Sequence, residues 1–200
     1  MKLVFATNNA HKLEEVQAIL DPAIHLVTLS EAGVEGDIPE PHATLEENAR
    51  EKSSIVYALV SRQPGIDGCF SEDTGLEVDA LGGEPGVKSA RYAGDERSFE
   101  KNMDKLLNRL AGKSNRSAQF RTIISLIING KETQFEGICP GRIMEEKRGA
   151  AGFGYDPLFV PEGASKSFAE MDLAEKGRYS HRARAIEKLV AFLNQQGATK

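Results

Sequence analysis

The chain has 200 residues, of which 40% are hydrophobic and 28% are charged, and its formal net charge is −5. The length and composition predict an ordinary globular protein with enough apolar residues for a substantial core. The acidic balance argues against general binding to a nucleic-acid backbone, which requires a basic surface.

The first elements in the chain predict an α/β protein. Residues 2–6 have the composition of a short buried strand, and the polar turn at residues 7–9 ends it. Apolar residues at helical spacing then predict a helix over residues 10–20, with Asn9 as its N-cap. A second strand is predicted over residues 24–29. A strand, a polar turn and a helix in this order are typical of α/β folds.

Lys12 falls in the first turn of this helix, where the helix dipole disfavours a cation. An anion bound at the helix N-terminus would remove the conflict, because backbone N–H groups and the lysine would both point at it. We therefore predict a phosphate site at this position. The alternative is a surface lysine whose penalty of about 0.3–1 kcal/mol is simply tolerated.

An acidic segment without regular structure follows at residues 31–42, where glycines and prolines interrupt both helical and strand patterns. Within it Glu40 lies between two prolines, which is an unusually rigid position for an acid that only contacts solvent. Thr44 and Glu47 have the spacing of a capping box, and they predict a helix that runs to about residue 62.

Two adjacent acids, Glu72 and Asp73, stand before Thr74 and Gly75. Alternating apolar residues follow, so we predict a strand, a sharp turn at Gly75 and a second strand, with both acids at the turn. Because side chains alternate along a strand, only one of the two acids is expected to face the core easily. Carboxylates on a rigid turn beside glycines suit a hard cation and a phosphate. The alternative is a solvated acidic turn.

The second half of the chain predicts an amphipathic helix, a hairpin and a last helix. The helix covers residues 96–111 and ends at Gly112, and the last helix begins after Ser180. The hairpin strands cover residues 118–129 and 132–138, joined by a turn at Asn129 and Gly130. Cys69 and Cys139 lie far apart without metal-ligand spacing, so we expect free thiols in a reducing compartment.

Two later segments contain candidate binding residues. Residues 149–157 place Phe153 and Tyr155 among glycines, and flat rings beside an open backbone suit stacking on a base, although a turn with aromatic anchors is the alternative. His181 and Arg182 begin the last helix, which is again the wrong end for cations unless an anion or an electron-rich ligand binds there. Four basic side chains and no acid occur in residues 176–184, which suits a small polyanion.

Taken together, these segments resemble the inosine/xanthosine triphosphate pyrophosphatases, the Ham1-like or RdgB-like family. The resemblance runs nearly end to end and follows the family's order. It rests on residues 7–12, 37–40, 72–76, 80–86, 89–92, 152–157 and 180–182. It implies a single α/β domain over residues 1–200, with an elongated mixed β-sheet, flanking helices and two lobes around a central cleft (Maf/Ham1-like).

The activity that the resemblance implies is Mg²⁺-dependent hydrolysis of ITP, dITP or XTP to the monophosphate and pyrophosphate. The family is homodimeric. We predict a cytoplasmic protein without a membrane or nucleic-acid partner, since the apolar run in the first six residues is too short for a signal peptide and no run of 18 apolar residues occurs. By resemblance, Asp73 would accept the proton of the attacking water and would bind the metal together with Glu40. The residues expected to bind substrate are Thr7, Asn8, Asn9, Ala10, His11, Lys12, Thr74, Phe153, Gly154, Tyr155, Asp156, Lys176, His181 and Arg182.

An arginine can only donate hydrogen bonds, so Arg182 is expected to favour the C6 keto oxygen of inosine or xanthine over the amino group of adenine. Two other functions stay open. One is a nucleotide-sensing module without turnover, which would gain little from Glu72 and Asp73 beside a triphosphate except through a metal. The other is a Maf-like pyrophosphatase of modified pyrimidine nucleotides, against which the segment at residues 180–182 favours the purine branch.

Overall fold

The computed structural model describes residues 1–197, which form the α/β structure that the sequence predicts. The strands are β1 (Lys2–Phe5), β2 (His25–Val27), β3 (Gly68–Val78), β4 (Pro85–Gly86), β5 (Ser117–Ile128), β6 (Lys131–Ile143) and β7 (Phe159–Pro161). The α-helices are α1 (Ala10–Ile19), α2 (Leu45–Val60), α3 (Phe99–Leu110), α4 (Leu173–Gly177) and α5 (His181–Gly197). Among these residues, no helix combines the length and the apolar character needed to cross a membrane.

The strands form one mixed sheet, as expected from the sequence. Their order is β2-β1-β3-β5-β6-β7, and β4 pairs with β3 outside this path. β1 pairs in parallel with both β2 and β3, whereas β3 with β4 and β6 with β7 are antiparallel pairs. The parallel pairs place the carboxyl end of β1 beside the first residues of β3, since Phe5 lies opposite Phe70. The polar turn after β1 therefore begins close to the acids of β3.

Capping and turn residues in the sequence predicted the position of most helices and strands correctly. The side chain of Asn9 accepts hydrogen bonds from the His11 and Lys12 N–H groups at the start of α1, and Thr44 caps α2 by accepting from Glu47. Asn129 and Gly130 both have positive φ, at 50° and 74°, as the two-residue hairpin turn between β5 and β6 requires. These caps and turns are set by short-range chemistry, which explains why the sequence alone was sufficient to predict them.

The predicted turn at Gly75 is wrong, because β3 continues from Gly68 to Val78 without interruption. A Cβ atom on Gly75 would lie 2.8 Å from the carbonyl oxygen of Gly86 on β4. Glycine is therefore required by the close approach of a neighbouring strand, not by a reversal of the chain. As a result, Glu72 and Asp73 lie inside a strand, and their side chains point to opposite faces of the sheet.

The chain divides into two compact units. Unit 1 consists of Met1–Asp73, Thr122–Gly137 and residues 182–197, and unit 2 consists of Thr74–Arg121 and Ile138–His181. The central cleft implied by the family resemblance remains a prediction. Cys69 in unit 1 and Cys139 in unit 2 are both buried free thiols, and burial raises the pKa of Cys69 to about 12. The prediction of free thiols is thus confirmed.

Helices cover both faces of the sheet in unit 1. On one face, α1 and α5 pack against β1 and β3 in a cluster that includes Phe5, Phe70 and Ile186. On the other face, Val56 of α2 packs against Val4 and Cys69 in a second cluster. Because both faces are covered, neither acid of β3 points into solvent, and Glu72 and Asp73 are only 2% and 6% exposed. The expectation that only one of them could readily face the interior is therefore wrong.

Candidate active site

Asp73 lies on the face of β3 that α2 covers. The side-chain amide of Asn48 donates to Asp73 Oδ2 at 3.1 Å, and Lys52 Nζ donates to Asp73 Oδ1 at 3.3 Å. Burial raises the pKa of Asp73, the charge of Lys52 partly opposes this rise, and the charge of Glu40 adds to it. A buried carboxylate that two side chains hold in one orientation and whose pKa is raised is a candidate general base.

Lys52 joins Asp73 to Glu40. Its Nζ donates to Glu40 Oε1 at 2.6 Å and to the backbone carbonyl of Glu72 at 2.6 Å, in addition to Asp73. Burial alone would lower the pKa of Lys52, but the charges of Asp73 and Glu40 raise it above the ordinary value. The ammonium group therefore stays charged, and its three bonds use all three of its protons.

The two predicted metal ligands, Glu40 and Asp73, thus both bond the ammonium group of Lys52 through a carboxylate oxygen. Carboxylate oxygens are the ligands that Mg²⁺ prefers, and proteins commonly bind it through one or two carboxylates while substrate phosphates and water complete its coordination. In the part of the chain that the structure describes, no group of three or more His, Cys, Asp or Glu side chains could hold a metal. A divalent cation bound by Glu40 and Asp73 would need further ligands from substrate or water, and the role of these two residues as metal ligands remains a prediction.

Glu72 lies on the opposite face of β3, where three charged side chains meet it. Arg182 donates from Nε and from one terminal nitrogen to the two oxygens of Glu72, both at 2.7 Å, and its other terminal nitrogen bonds Glu15. Lys12 Nζ lies 3.0 Å from Glu72 Oε1. Burial alone would raise the pKa of Glu72, but the charges of Arg182 and Lys12 hold it below its ordinary value.

One carboxylate therefore supplies the anion that both helix starts require. Lys12 in the first turn of α1 and Arg182 in the first turn of α5 both contact Glu72, which offsets the unfavourable helix dipoles. The alternative of a tolerated surface lysine is wrong, because the Lys12 side chain is only 17% exposed and is paired. A bound phosphate is not needed to explain either cation, so the phosphate site remains a prediction.

The segment from Thr7 to Lys12 covers the turn after β1 and the first three residues of α1, and its own contacts satisfy several of its polar groups. Thr7 Oγ1 accepts from the Asn9 N–H group at 3.2 Å, and Asn8 Nδ2 donates to the Gly36 carbonyl at 3.0 Å. Because the Asn9 side chain accepts from the N–H groups of His11 and Lys12, those two expected phosphate donors are already bonded. Ala10 begins α1, and the His11 side chain is exposed.

In unit 2, Phe153 is held by a buried ion pair. Asp156 Oδ2 accepts from the Phe153 N–H group at 3.0 Å and from Lys176 Nζ at 2.6 Å. Lys176 Nζ also lies 5.3 Å from the centre of the Phe153 ring, within the range of a cation–π contact. Gly152 permits this geometry, because a Cβ atom there would lie 2.1 Å from Asp156 Oδ2. Phe153 is half-buried, and the centre of its ring lies 6.2 Å from that of Phe99.

The other predicted binding residues of unit 2 are more deeply packed. The Tyr155 ring is 4% exposed, and its hydroxyl donates to the Ser89 carbonyl at 2.9 Å. The prediction that both aromatic rings offer a face to a base therefore needs correction: Tyr155 anchors the loop, and Phe153 remains the candidate. The His181 ring is also buried and stacks on Phe120 with 4.7 Å between ring centres.

Gly154 and Thr74, two further predicted substrate contacts, lie next to other site residues in the chain. Gly154 lies between Phe153 and Tyr155 and has a positive φ of 62°, which a glycine adopts readily. Thr74 follows Asp73 on β3 and is half-buried. Neither position is tested by the contacts described above, and their roles remain predictions.

Sequence reasoning missed four charged or polar residues of unit 1. Asn48 and Lys52 were passed over inside a predicted helix, although their i, i+4 spacing places them on one helical face. Glu15 was likewise predicted only as a helix residue, and Glu72 was expected, together with Asp73, to suit a cation and a phosphate, so that its pairing with Arg182 and Lys12 was missed. The signal in the sequence was that Lys12 and Arg182 each lie in the first turn of a helix, where a nearby anion is needed to offset the helix dipole. Nothing local in the sequence showed that this anion was Glu72.

Acid should weaken the fold through Glu72. Because its pKa is lower in the folded protein, the unfolded chain binds a proton first as the pH falls, and the stability from the ion pairs is lost from about pH 4.3 downward. We expect the free energy of unfolding, measured with urea between about pH 6 and pH 3, to fall less steeply in Glu72→Gln, which cannot titrate at this position. Equal pH slopes in both proteins would exclude this role.

A mixed sheet that helices cover on both faces in unit 1, and whose third strand in sheet order carries a buried carboxylate–lysine group, places the protein among the α/β proteins. The chain belongs to the Ham1 family, whose family model matches residues 3–192. This membership confirms the family resemblance seen in the sequence motifs.

Curated relatives and solved structures agree over almost the whole chain. A protein of Christiangramia forsetii named dITP/XTP pyrophosphatase is 47% identical, with 98% of this chain and 100% of the relative aligned. One of the same name from Flavobacterium psychrophilum is 49% identical over 96% of this chain and 98% of its own. The solved structure of the Staphylococcus aureus Ham1 protein matches with a TM-score of 0.84 and 39% identity, covering 98% of this chain and 100% of that one. The predicted α/β fold class is thereby confirmed.

Proposed function

We propose that the protein hydrolyses non-standard purine nucleoside triphosphates, namely ITP, dITP and XTP, to the monophosphate and pyrophosphate in the presence of Mg²⁺. The observation that carries the proposal is the buried group in which Lys52 bonds both Asp73 and Glu40. Such a group combines a proton acceptor with hard oxygen ligands. Membership of the Ham1 family and the names of its full-length relatives support the choice of substrate.

The chemistry requires water to attack phosphorus, the bond between the α- and β-phosphates to break, and pyrophosphate to leave. In our proposal Asp73 accepts the proton of the attacking water, while Asn48 and Lys52 hold its carboxylate in place. Glu40 and Asp73 would hold Mg²⁺, which when bound would neutralise part of the phosphate charge. Lys12 would bind phosphate from its position at the start of α1, sharing its charge with Glu72.

For nucleotide binding, we propose that Phe153 stacks on the base and that Asp156 and Lys176 act by fixing its position. The remaining substrate contacts predicted from the family motifs, including Thr74 and His181, are proposed on that resemblance alone. Arg182 would have to bind the base with a guanidinium group that already bonds Glu72 and Glu15. We therefore propose that its first role is structural. A homodimer in the cytoplasm, as the resemblance implies, is likewise a proposal.

The proposal is tested by measuring phosphate release, coupled to inorganic pyrophosphatase, from ITP, XTP, ATP, GTP and dUTP. We expect ITP and XTP to be hydrolysed fastest in Mg²⁺, because carboxylate oxygens prefer hard cations such as Mg²⁺. Excess EDTA removes the cation, so we expect the activity to be lost. Preferred hydrolysis of pyrimidine nucleotides would indicate the Maf-like function instead. Nucleotide binding without turnover would indicate a sensing module, and full activity in EDTA would exclude the metal.

A further inference from the structure

Asn48 bonds both Asp73 and the backbone of His42, which follows shortly after Glu40 in the chain. It is fully buried in the first turn of α2, where its Oδ1 accepts from the His42 N–H group at 2.9 Å. Its Nδ2 donates to the His42 carbonyl at 3.3 Å and to Asp73 Oδ2 at 3.1 Å. Its side-chain oxygen and both protons are therefore engaged. The reverse orientation of the amide would place its oxygen against the carboxylate and its protons against the His42 N–H group.

Through these bonds, Asn48 connects the segment that carries Glu40 to Asp73 on β3. His42 is two residues after Glu40, so the backbone of that segment is held by Asn48, while the Glu40 side chain is held by Lys52 at 2.6 Å. Asn48 and Lys52 lie one helical turn apart and hold opposite oxygens of Asp73. The rotation of the Asp73 carboxylate and the position of the Glu40 segment are thus set by the same face of α2.

We propose that Asn48 is a positioning residue for hydrolysis: it holds the Asp73 carboxylate in the orientation that accepts a proton from water, and it holds the Glu40 segment beside it. The inference rests on the proposed function, in which Asp73 is the proton acceptor. Loss of a side chain that orients a reacting group typically reduces activity about 10- to 100-fold, because small displacements of that group are costly. Asn48 itself would not touch the substrate.

The test compares the kcat and KM values for ITP of Asn48→Asp and Asn48→Ala with those of the unaltered protein. Asn48→Asp keeps the acceptor for His42 but loses the donor to Asp73, and Asn48→Ala serves if the first variant does not fold. We expect kcat to fall about 10- to 100-fold while KM stays within about twofold. An unchanged kcat, or a change confined to KM, would overturn the proposal.

Asn102→Asp is the matched control. Asn102 is also a buried asparagine that binds a loop backbone, bonding Ala93, Ala90 and Ser89, but it contacts no carboxylate in the bonds the structure shows. We expect it to lower the melting temperature as Asn48→Asp does while kcat stays within about twofold. A similar loss of kcat in both variants would mean that loosening any such loop is sufficient, and the proposal would fail.

A double variant shows whether Asn48 acts through Asp73. If it does, Asn48→Ala should lower kcat little further in a protein that already carries Asp73→Asn, since residues that act as a unit are not additive. Independent, multiplying effects would contradict the proposal. The unaltered protein in the same assay separates the two ideas: without any triphosphate hydrolysis the proposed function fails, whereas hydrolysis with an unaffected Asn48→Ala variant removes only the inference about Asn48.

Discussion

Asp73→Asn should fold and yet lose at least about 10²-fold in kcat at saturating substrate and Mg²⁺, the lower limit of what a general base contributes. The amide cannot accept a proton from water, although its size matches the carboxylate. Its oxygen can still accept from either Asn48 or Lys52, which bond opposite oxygens of Asp73. Lys52 also keeps its bonds to Glu40 and to the Glu72 carbonyl, so the buried lysine retains a partner.

Glu77→Gln provides the matched control for this variant. Glu77 lies four residues further along β3 and accepts a hydrogen bond from Gln119 at 2.7 Å, so the change again replaces a bonded carboxylate by an amide. We expect its kcat to stay within about twofold and both proteins to melt as single transitions. A folded Asp73→Asn protein that retains most of its kcat would show that another group accepts the proton.

Arg182→Ala should cost about 3–5 kcal/mol in the free energy of unfolding, the range seen when one partner of a buried ion pair is removed. Arg182 is 1% exposed and bonds both oxygens of Glu72 as well as Glu15. When Arg182 is removed, Glu72 keeps its ion pair with Lys12. The buried carboxylate of Glu15 loses its ion pair with Arg182. Urea denaturation monitored by circular dichroism measures the loss.

Arg184→Ala tests whether position, and not merely positive charge, causes this loss. Arg184 is two residues further along α5 and is exposed, so its removal should change the free energy of unfolding by no more than about 0.5 kcal/mol. If Arg182→Ala proves as stable as Arg184→Ala while its preference for ITP over ATP disappears, the arginine acts mainly on the base. The structural role proposed above would then be wrong.

The sequence was sufficient where a short stretch determines its own structure. The caps at Asn9 and Thr44 and the turn at Asn129 depend on neighbours within a few residues, and all were predicted. Gly75 shows the limit of this approach. A glycine can allow a turn or make room for another strand, and only the approach of Gly86 from a different part of the chain decides between them.

The candidate site shows the same limit more strongly. The carboxylate pair was found because Glu72 and Asp73 are adjacent, but their partners Asn48, Lys52 and Arg182 come from two helices far away in the sequence. The helix-dipole conflict at Lys12 was detected correctly, but the sequence did not show that the Glu72 side chain supplies an anion there. Long-range pairing of buried charges has no local pattern, so the structure was needed to establish it.

The ion pair between Glu72 and Arg182 can form only late in the synthesis of the chain. Arg182 is synthesised 110 residues after Glu72, so the carboxylate has no arginine partner until nearly the whole chain has been made. Until then, the face of β1 and β3 that α5 covers also stays exposed, including Phe70. A nascent or truncated chain that lacks the last helix therefore presents both a carboxylate without its arginine partner and an apolar sheet surface, the kind of species that chaperones and proteases recognise.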